Sequence, residues 1–293
     1  MTDQKTTRLL RLATRASLAT AILLVIIKLG AWFITGSVSM LASLIDSIMD
    51  ALASFINLLA VGYSLVQADN EHRFGHGKAE PLAGLAQATF IAGSALFLLL
   101  HAIDRLQHPQ PLTHLTVAIS IMIFSIVATS LLITFQRYVI RCTHSTAIRA
   151  DSLHYVTDML TNITILVALV LAAYGWPAVD PLFAIGIAIY ILYSAWRIGY
   201  EAFQLLMDHE LPAEIQQSIQ AIALAHEEVQ GVHDIRTRQS GQTRFIQMHI
   251  ELAANMSLLK AHAIAKQVEV EVLAAVPNAQ VIIHQDPVAP LVE

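Results

Sequence analysis

Six apolar stretches, each long enough to cross a lipid bilayer, constrain this chain more than any other feature. A membrane-spanning helix needs about 20 consecutive, mostly apolar residues. The predicted spans are 12–34, 38–66, 81–106, 115–138, 147–174 and 178–206. Only 13% of the residues are charged, whereas soluble domains contain about 25%. The sequence therefore predicts an α-helical polytopic membrane protein embedded in a lipid bilayer.

The loops between these stretches differ in positive charge. In the loops on one side of the membrane, Arg105 is the only basic residue. The basic residues on the other side are Lys5, Arg8, Arg11, Arg15, Arg73, Lys78, Arg137, Arg141 and Arg149. Because Lys and Arg are enriched in cytoplasmic loops, both termini are predicted to be cytoplasmic. No small-residue cleavage site follows the basic start, which favours an uncleaved first helix over a signal peptide. Lys28 lies inside this helix, and the sequence assigns it no role.

The composition changes after residue 207, where charges become regular and no span-length apolar run remains. The pattern predicts a helix over 213–229, strands over 231–239 and 244–252, a second helix over 257–276 and a last strand over 279–287. This αββαβ order indicates a cytoplasmic α+β domain with a helix layer on an antiparallel-type sheet. The predicted domains are 1–207, the transmembrane six-helix domain, and 208–293, the cytoplasmic domain.

Simple counts exclude two kinds of protein. The net charge is −5 and the Lys and Arg residues are scattered, so nucleic acid is not a predicted partner. Cys142 is the only cysteine, which excludes an intramolecular disulfide and a Cys-rich zinc site. Histidine, with 13 residues, is the more informative residue type.

Two pairs of metal-type ligands lie in separate apolar stretches, Asp46 with Asp50 and His154 with Asp158. Each pair has i, i+4 spacing, so each shares one face of a helix. An ionised acid costs about 2.5–3.5 kcal/mol near the centre of a membrane helix, which argues against chance. Three carboxylates and one imidazole suit tetrahedral zinc, with less preference for cadmium, iron(II) or manganese(II). The alternative is hydrogen bonding between helices.

Protonation links this site to transport. Several acids close together cannot all stay ionised, so a metal-free site should hold protons. A metal must displace those protons to bind. Since imidazole has a reference pKa of about 6.5, His154 is the predicted proton-exchanging group. These properties favour metal–proton antiport.

The loop after the second span contains Asp69, His72 and His76, which could close on one ion. Gly75 and Gly77 would let the backbone turn around it. Two alternatives stay open: a solvated loop with incidental histidines, and a catalytic zinc with three protein ligands.

The cytoplasmic domain contains a third set of candidate ligands. Asp286 follows His284 by two residues, so their side chains share one side of a strand. Four histidines and one aspartate could hold two ions if the carboxylate bridges them. The set is His233, His249, His262, His284 and Asp286. Surface histidines without a metal are the alternative.

Five strings along the chain resemble the cation diffusion facilitators, most closely the bacterial zinc and iron(II) efflux members. They are GSVSMLASLIDSIMDALAS, DNEHRFGHGKAEPLAGL, RADSLHYVTDMLTN, LLMDHELP and HQDP. The resemblance implies a metallochaperone-like cytoplasmic domain, a homodimer and a multi-pass protein of the bacterial inner membrane. It implies that Asp286 bridges two ions and helps to hold the dimer. Lys78 and Asp208 match a charged pair that ties the loop to the base of the last span.

The resemblance also identifies three metal sites. They are a transport site (Asp46, Asp50, His154, Asp158), a loop site (Asp69, His72, His76) and a binuclear cytoplasmic site (His233, His249, His262, His284, Asp286). A histidine at position 154 is typical of zinc and cadmium members, and iron(II) stays open.

The predicted function is proton-coupled export of zinc, and of cadmium or iron(II), by alternating access. It involves no enzyme activity. Two alternatives remain from the sequence. A membrane-embedded metallohydrolase is disfavoured because no H-E-x-x-H is present, and a non-transporting metal sensor is not separated by motifs.

Overall fold

The computed structural model describes residues 2–35, 38–107, 115–173 and 179–288. Two units divide the chain, Met1–Phe203 and Gln204–Glu293. The functional domains predicted from the sequence place their boundary after residue 207 and stay a prediction.

Six long helices precede the sheet in the described part of the chain. They are α1 (Thr2–Thr35), α2 (Val38–Ser64), α3 (Ala79–Gln107), α4 (Leu115–Thr143), α5 (Thr146–Ala173) and α6 (Val179–Leu206). They cover the six apolar stretches, although α1 begins ten residues earlier than its predicted span, at Thr2 instead of residue 12. The basic start of the chain therefore continues the first helix.

Four of these helices are long and apolar enough to cross a membrane, within α1 to α4: Gln4–Ile34, Ser43–Ser64, Ala79–Leu100 and Ile119–Thr143. The prediction of six spans thus goes beyond the four found among the described residues. Large apolar side chains point outward from the helices, among them Phe97 and Trp196, which are 73% and 74% exposed. Such an exterior suits lipid.

Small side chains let α3, α5 and α6 pack closely. Ala88 and Ala95 of α3, Ala150 of α5 and Ala195 of α6 are all buried in one apolar cluster. A Cβ atom added at Gly199 of α6 would lie 3.5 Å from the Cβ of Ala88. Small residues at helix interfaces allow such close approach in membrane proteins. Helix α5, which carries two predicted transport ligands, is thereby held against two neighbours.

The second unit follows the predicted αββαβ order. Its elements are α7 (Ala213–Leu224), β1 (Gly231–Ser240), β2 (Thr243–Leu252), α8 (Leu258–Ala275) and β3 (Ala279–Pro287). Alternate residues of β2, such as Ile246, Met248 and Ile250, are buried against α7 and α8. Because strand side chains alternate between faces, the other residues of β2 lie on the face away from the helices.

The sheet has the order β1-β2-β3. Strands β1 and β2 are antiparallel, as predicted, whereas β3 pairs with β2 in parallel. The prediction of an antiparallel-type sheet was therefore wrong for β3. The reason is the connection: α8 carries the chain back along the sheet, and a helical crossover joins parallel strands.

Candidate metal centres

Helices α2 and α5 bring three of the four predicted transport ligands together. Asp50, His154 and Asp158 each offer a ligand atom, and these atoms all lie within 4.8 Å of one another. The Nε2 atom of His154 is 3.0 Å from Oδ1 of Asp50 and 3.7 Å from Oδ2 of Asp158. His154 is buried, and Nε2 has no aligned hydrogen bond among the described residues. These ligand atoms are close enough together to share one metal ion.

Asp46 does not belong to this group among the described residues. Its side chain is exposed, one turn before Asp50 on α2. Asp46 still interacts electrostatically with both Asp50 and His154. Its role as a fourth ligand stays a prediction.

A buried aspartate that the sequence reasoning missed lies three residues before His154. Asp151 is fully buried and accepts hydrogen bonds from the Ser17 hydroxyl, from Nε2 of Gln87 at 3.1 Å and from Nε2 of Gln136 at 2.7 Å. These partners come from α1, α3 and α4. Asp151 thus connects three helices to the helix that carries His154.

Tyr155, next to His154, extends the same network. Its hydroxyl lies 2.9 Å from the Ser54 hydroxyl of α2 and donates to the Ser17 carbonyl oxygen of α1 at 3.0 Å. The signal for this network in the sequence is a further acid and a tyrosine in the apolar stretch of α5. Their partners on other helices have no local signature.

The predicted loop ligands also lie together. Asp69, His72 and His76 form a group whose ligand atoms lie within 4.8 Å. Nε2 of His76 is 3.4 Å from Oδ2 of Asp69, and Nδ1 of His72 is 3.6 Å from Oδ1. Asp69 and His72 are exposed, whereas His76 is buried and its ring stacks edge-on against Tyr63 of α2. The group therefore combines two exposed side chains with one buried side chain.

Backbone hydrogen bonds stabilise the ionised form of the Asp69 carboxylate, which is the form that binds a cation. The backbone N–H of His72 donates to Asp69 Oδ1 at 2.6 Å, and that of Glu71 at 2.9 Å. These bonds, the His72 N–H foremost, hold the pKa of the Asp69 carboxyl below its usual range. Gly75 has φ 79°, so it makes the predicted turn. Gly77 is not among the positive-φ glycines of the described chain.

Strand register aligns three histidines across the sheet of the second unit. His233 of β1 is paired with His249 of β2, which is paired with His284 of β3. The ring centroids are 5.2 Å apart between His233 and His249, and 4.6 Å apart between His249 and His284. His249 lies between buried residues of β2, so the row occupies the face away from the helices. His262 is exposed on α8, and its place in this site stays a prediction.

Asp286 contacts all three histidines of this row. Its Oδ2 atom is 2.8 Å from Nδ1 of His249 and 3.3 Å from Nε2 of His233, whereas Oδ1 is 3.0 Å from Nε2 of His284. The hydrogen bond from His249, aided by the charge of His284, holds the pKa of the Asp286 carboxyl below its usual range. The two oxygens face different imidazoles, which is the geometry that a bridging carboxylate needs.

Two further acids approach the histidine row, and the sequence reasoning did not single them out. Glu251 Oε1 lies 3.3 Å from Nδ1 of His233, and Asp234 Oδ2 lies 3.8 Å from Nε2 of His249. Asp234 has φ 50°, at an irregularity in the pairing of β1 with β2. Non-glycine residues with such backbone angles are uncommon and occur at functional sites.

Lys78 and Asp208, the predicted charged pair, fall in different units, and their pairing stays a prediction. Within the second unit, Asp208 Oδ1 accepts a hydrogen bond from Nη1 of Arg238 at 3.3 Å.

Comparison with known proteins covers nearly the whole chain. The family model described as the cation efflux transmembrane domain matches residues 14–207, and the model described as the cation efflux protein cytoplasmic domain matches residues 211–288. The cation-efflux pump FieF of Klebsiella pneumoniae is 54% identical over 285 residues, covering 97% of this chain and 95% of that protein. FieF of Citrobacter koseri is 55% identical over 280 residues, covering 94% and 93%.

A solved structure, the metal-bound C-terminal domain of the CzcD transporter from Thermotoga maritima, is 28% identical with a TM-score of 0.26. It covers 27% of this chain and 92% of that domain. The relatives that match over full length are efflux pumps, so the metallohydrolase alternative is set aside, as is the non-transporting sensor. The chain belongs to the cation efflux family, the cation diffusion facilitators, and is a multi-pass membrane transporter of metal cations, not an enzyme.

Proposed function

We propose that this transporter is a proton-coupled antiporter that exports zinc from the cytoplasm, with cadmium and iron(II) as further substrates. The observation that carries the proposal is the group formed by Asp50, His154 and Asp158. Its ligands come from two helices that are far apart in sequence. Two carboxylates and one imidazole suit zinc, whereas calcium and magnesium prefer sites built from oxygen ligands alone.

The same ligands account for exchange with protons. Only the deprotonated carboxylate and the neutral imidazole bind a metal, so metal and protons compete for this group. Each helix supplies part of the coordination sphere: Asp50 from α2, and His154 with Asp158 from α5. A movement of α2 against α5 would open the sphere toward one side of the membrane or the other. In the proposed cycle, zinc leaves on the outer side and protons return to the site.

The cytoplasmic histidine row is proposed to bind two metal ions in a homodimer. Asp286 supports this role because its two oxygens contact different histidines. The predicted set of ligands is His233, His249, His262, His284 and Asp286. Metal bound there, and at the loop site Asp69, His72 and His76, would bias the membrane helices between inward-open and outward-open states.

The proposed placement is the bacterial inner membrane, with six spans and both termini in the cytoplasm. The positive charges of the loops support this orientation. Domain 1–207 would carry transport and domain 208–293 would carry metal binding and dimerisation. Lys78 and Asp208 would form the charged pair between the loop and the base of the last span.

The experiment is zinc transport by the full-length protein reconstituted in vesicles with an imposed pH gradient. Uptake should follow the gradient and fall to the background of empty vesicles in Asp50→Asn, which keeps the size of the side chain and removes its charge. Thr161→Val is the matched control, because Thr161 Oγ1 bonds only to the Thr157 carbonyl of its own helix among the hydrogen bonds found for it in the described chain. Uptake that ignores the gradient, or that survives in Asp50→Asn, would contradict the proposal.

A further inference from the structure

Lys28 of α1 places a positive charge beside the proposed transport site. The residue lies inside the apolar stretch Gln4–Ile34 and is half-buried. Its Nζ atom donates to the Ser47 hydroxyl at 2.6 Å and to the Ser43 carbonyl oxygen at 3.2 Å. Both partners belong to α2. A charged residue within a membrane helix is rare and is functional by default, and here it is tied to the helix that carries Asp50.

The two serines that bind Lys28 lie beside the row of acids on α2. Asp46 follows Ser43 by three residues, and Asp50 follows Ser47 by three. With 3.6 residues per turn, the serine row and the acid row are about 60° apart around the helix. Lys28 interacts electrostatically with Asp46 and also with Asp158 of α5. The charge of Lys28 therefore acts on acids of both α2 and α5, the helices that supply the proposed transport ligands.

An ammonium group cannot ligate a metal, because it has three donors and no acceptor. Its effect on the site is therefore electrostatic. The energy between two charges scales with their product, so a fixed positive charge repels a divalent ion about twice as strongly as it repels a proton at the same position. A cation held beside the site thus disfavours the metal-bound state relative to a metal-free site that holds one proton or none, whereas two bound protons are repelled as strongly as the metal.

We propose that Lys28, anchored on Ser43 and Ser47, is a fixed counter-ion of the transport site that weakens the binding of divalent metal at Asp50, His154 and Asp158. This inference rests on the proposed function, since it assumes that these three residues hold the transported ion. A weaker site releases its ion more readily, which an exporter requires. Lys28 is an affinity-determining residue that does not touch the ion.

The test is a cadmium and zinc titration of the full-length protein at alkaline pH, where the metal-free site holds the fewest protons. The background lacks the other two sites through Asp69→Ala, His233→Ala and Asp286→Ala. In this background Lys28→Met should lower the dissociation constant about tenfold, because an opposing charge is removed. Lys28→Gln keeps a hydrogen-bond donor without the charge and should show the same tightening. Lys28→Arg restores the charge and should bind within about threefold of the background protein.

Three outcomes overturn the proposal. In the first, Lys28→Met binds with unchanged or weaker affinity. In the second, Lys28→Arg binds as tightly as Lys28→Met, so the charge is not the cause. In the third, Asp50→Ala added to the background keeps the remaining binding, which overturns the proposed transport site together with its counter-ion. Loss of binding in Asp50→Ala with no effect of Lys28→Met overturns the counter-ion alone.

Discussion

Oδ1 of Asp50 on α2 lies 3.0 Å from Nε2 of His154 on α5. This contact joins two predicted ligand pairs that lie more than a hundred residues apart in the sequence, at positions 50 and 154. Neither helix alone supplies a sphere of ligands that could hold a divalent ion tightly. The two halves must therefore act as one unit, and this dependence leads to the first prediction.

Removal of either half should abolish tight binding at the membrane site. Asp50→Ala and Asp158→Ala should each weaken cadmium binding by more than about 100-fold. Residues that only hydrogen-bond to a metal ligand contribute up to about 100-fold in affinity, and a direct ligand should contribute more. The double variant should be hardly worse than either single one, because residues that act together are not additive. A titration in the background without the loop and cytoplasmic sites measures this. Losses that add in the double variant would indicate two independent sites.

The network around Asp151 should hold α5 in place. Asp151→Leu leaves the Gln87 amide buried without this acceptor and removes one of the two acceptors of the Gln136 amide, whose Nε2 atom also donates to the Ser17 hydroxyl. Each buried group left unsatisfied costs about 1–3 kcal/mol. The detergent-solubilised protein should therefore unfold at a lower temperature, and its cadmium affinity should fall. Thr89→Val, at an exposed residue of α3 whose hydroxyl donates to the Leu85 carbonyl of the same helix, is the control and should change neither property. Wild-type stability and affinity in Asp151→Leu would remove Asp151 from this role.

The cytoplasmic histidine row should account for a fixed part of the bound metal. His233→Ala combined with Asp286→Ala should lower the zinc bound per protomer and weaken the dimer, while the membrane site still binds. Metal analysis together with sedimentation of the full-length protein checks both effects. Gln239→Ala is a suitable control on β1, since its side chain bonds to the Gly241 carbonyl in the following turn. An unchanged zinc content in the double variant would argue against a binuclear site.

The metal-free sheet should lose stability in acid through Asp286. The pKa of this carboxyl is lowered in the folded protein, chiefly by the hydrogen bond from His249 and then by the nearby charges of His284, His249 and His233. A lowered folded pKa contributes stability above the unfolded value of about 3.9, and this contribution is lost as the pH falls through the folded pKa. Amide hydrogen exchange of β3, corrected for intrinsic rates, should therefore lose protection below about pH 4. Asp286→Asn should lack this step, and an identical step in that variant would assign it to another group.

The spacing of polar residues predicted faces of helices better than distances between helices. The i, i+4 pairs place Asp50, His154 and Asp158 on predicted faces, and the structure brings these three together. Asp46 shares the face of Asp50 but lies about 6 Å further along α2. The position of α2 along the axis of α5 depends on how the two helices pack, and the spacing of residues within one helix does not predict it.

Asp151 and β3 show two other kinds of structural information that the sequence pattern does not predict. Asp151 lies in the same apolar stretch as His154, but its meaning depends on Ser17, Gln87 and Gln136 on three other helices. For β3, the alternating pattern predicted the strand and gave no direction. The helix between β2 and β3 was the available signal, because a helical crossover predicts a parallel return. The alignment of His233, His249 and His284 depends on strand register, which is likewise a tertiary property.

The proposed transport cycle depends on the exchange of metal for protons at one membrane site. It is tested most directly by following zinc and protons in the same vesicles, with one dye for each ion, while zinc alone supplies the gradient. In an antiporter, zinc entry should drive protons in the opposite direction, and both movements should stop in Asp50→Asn and continue in Thr161→Val. Zinc entry at the wild-type rate without opposing proton movement would contradict it.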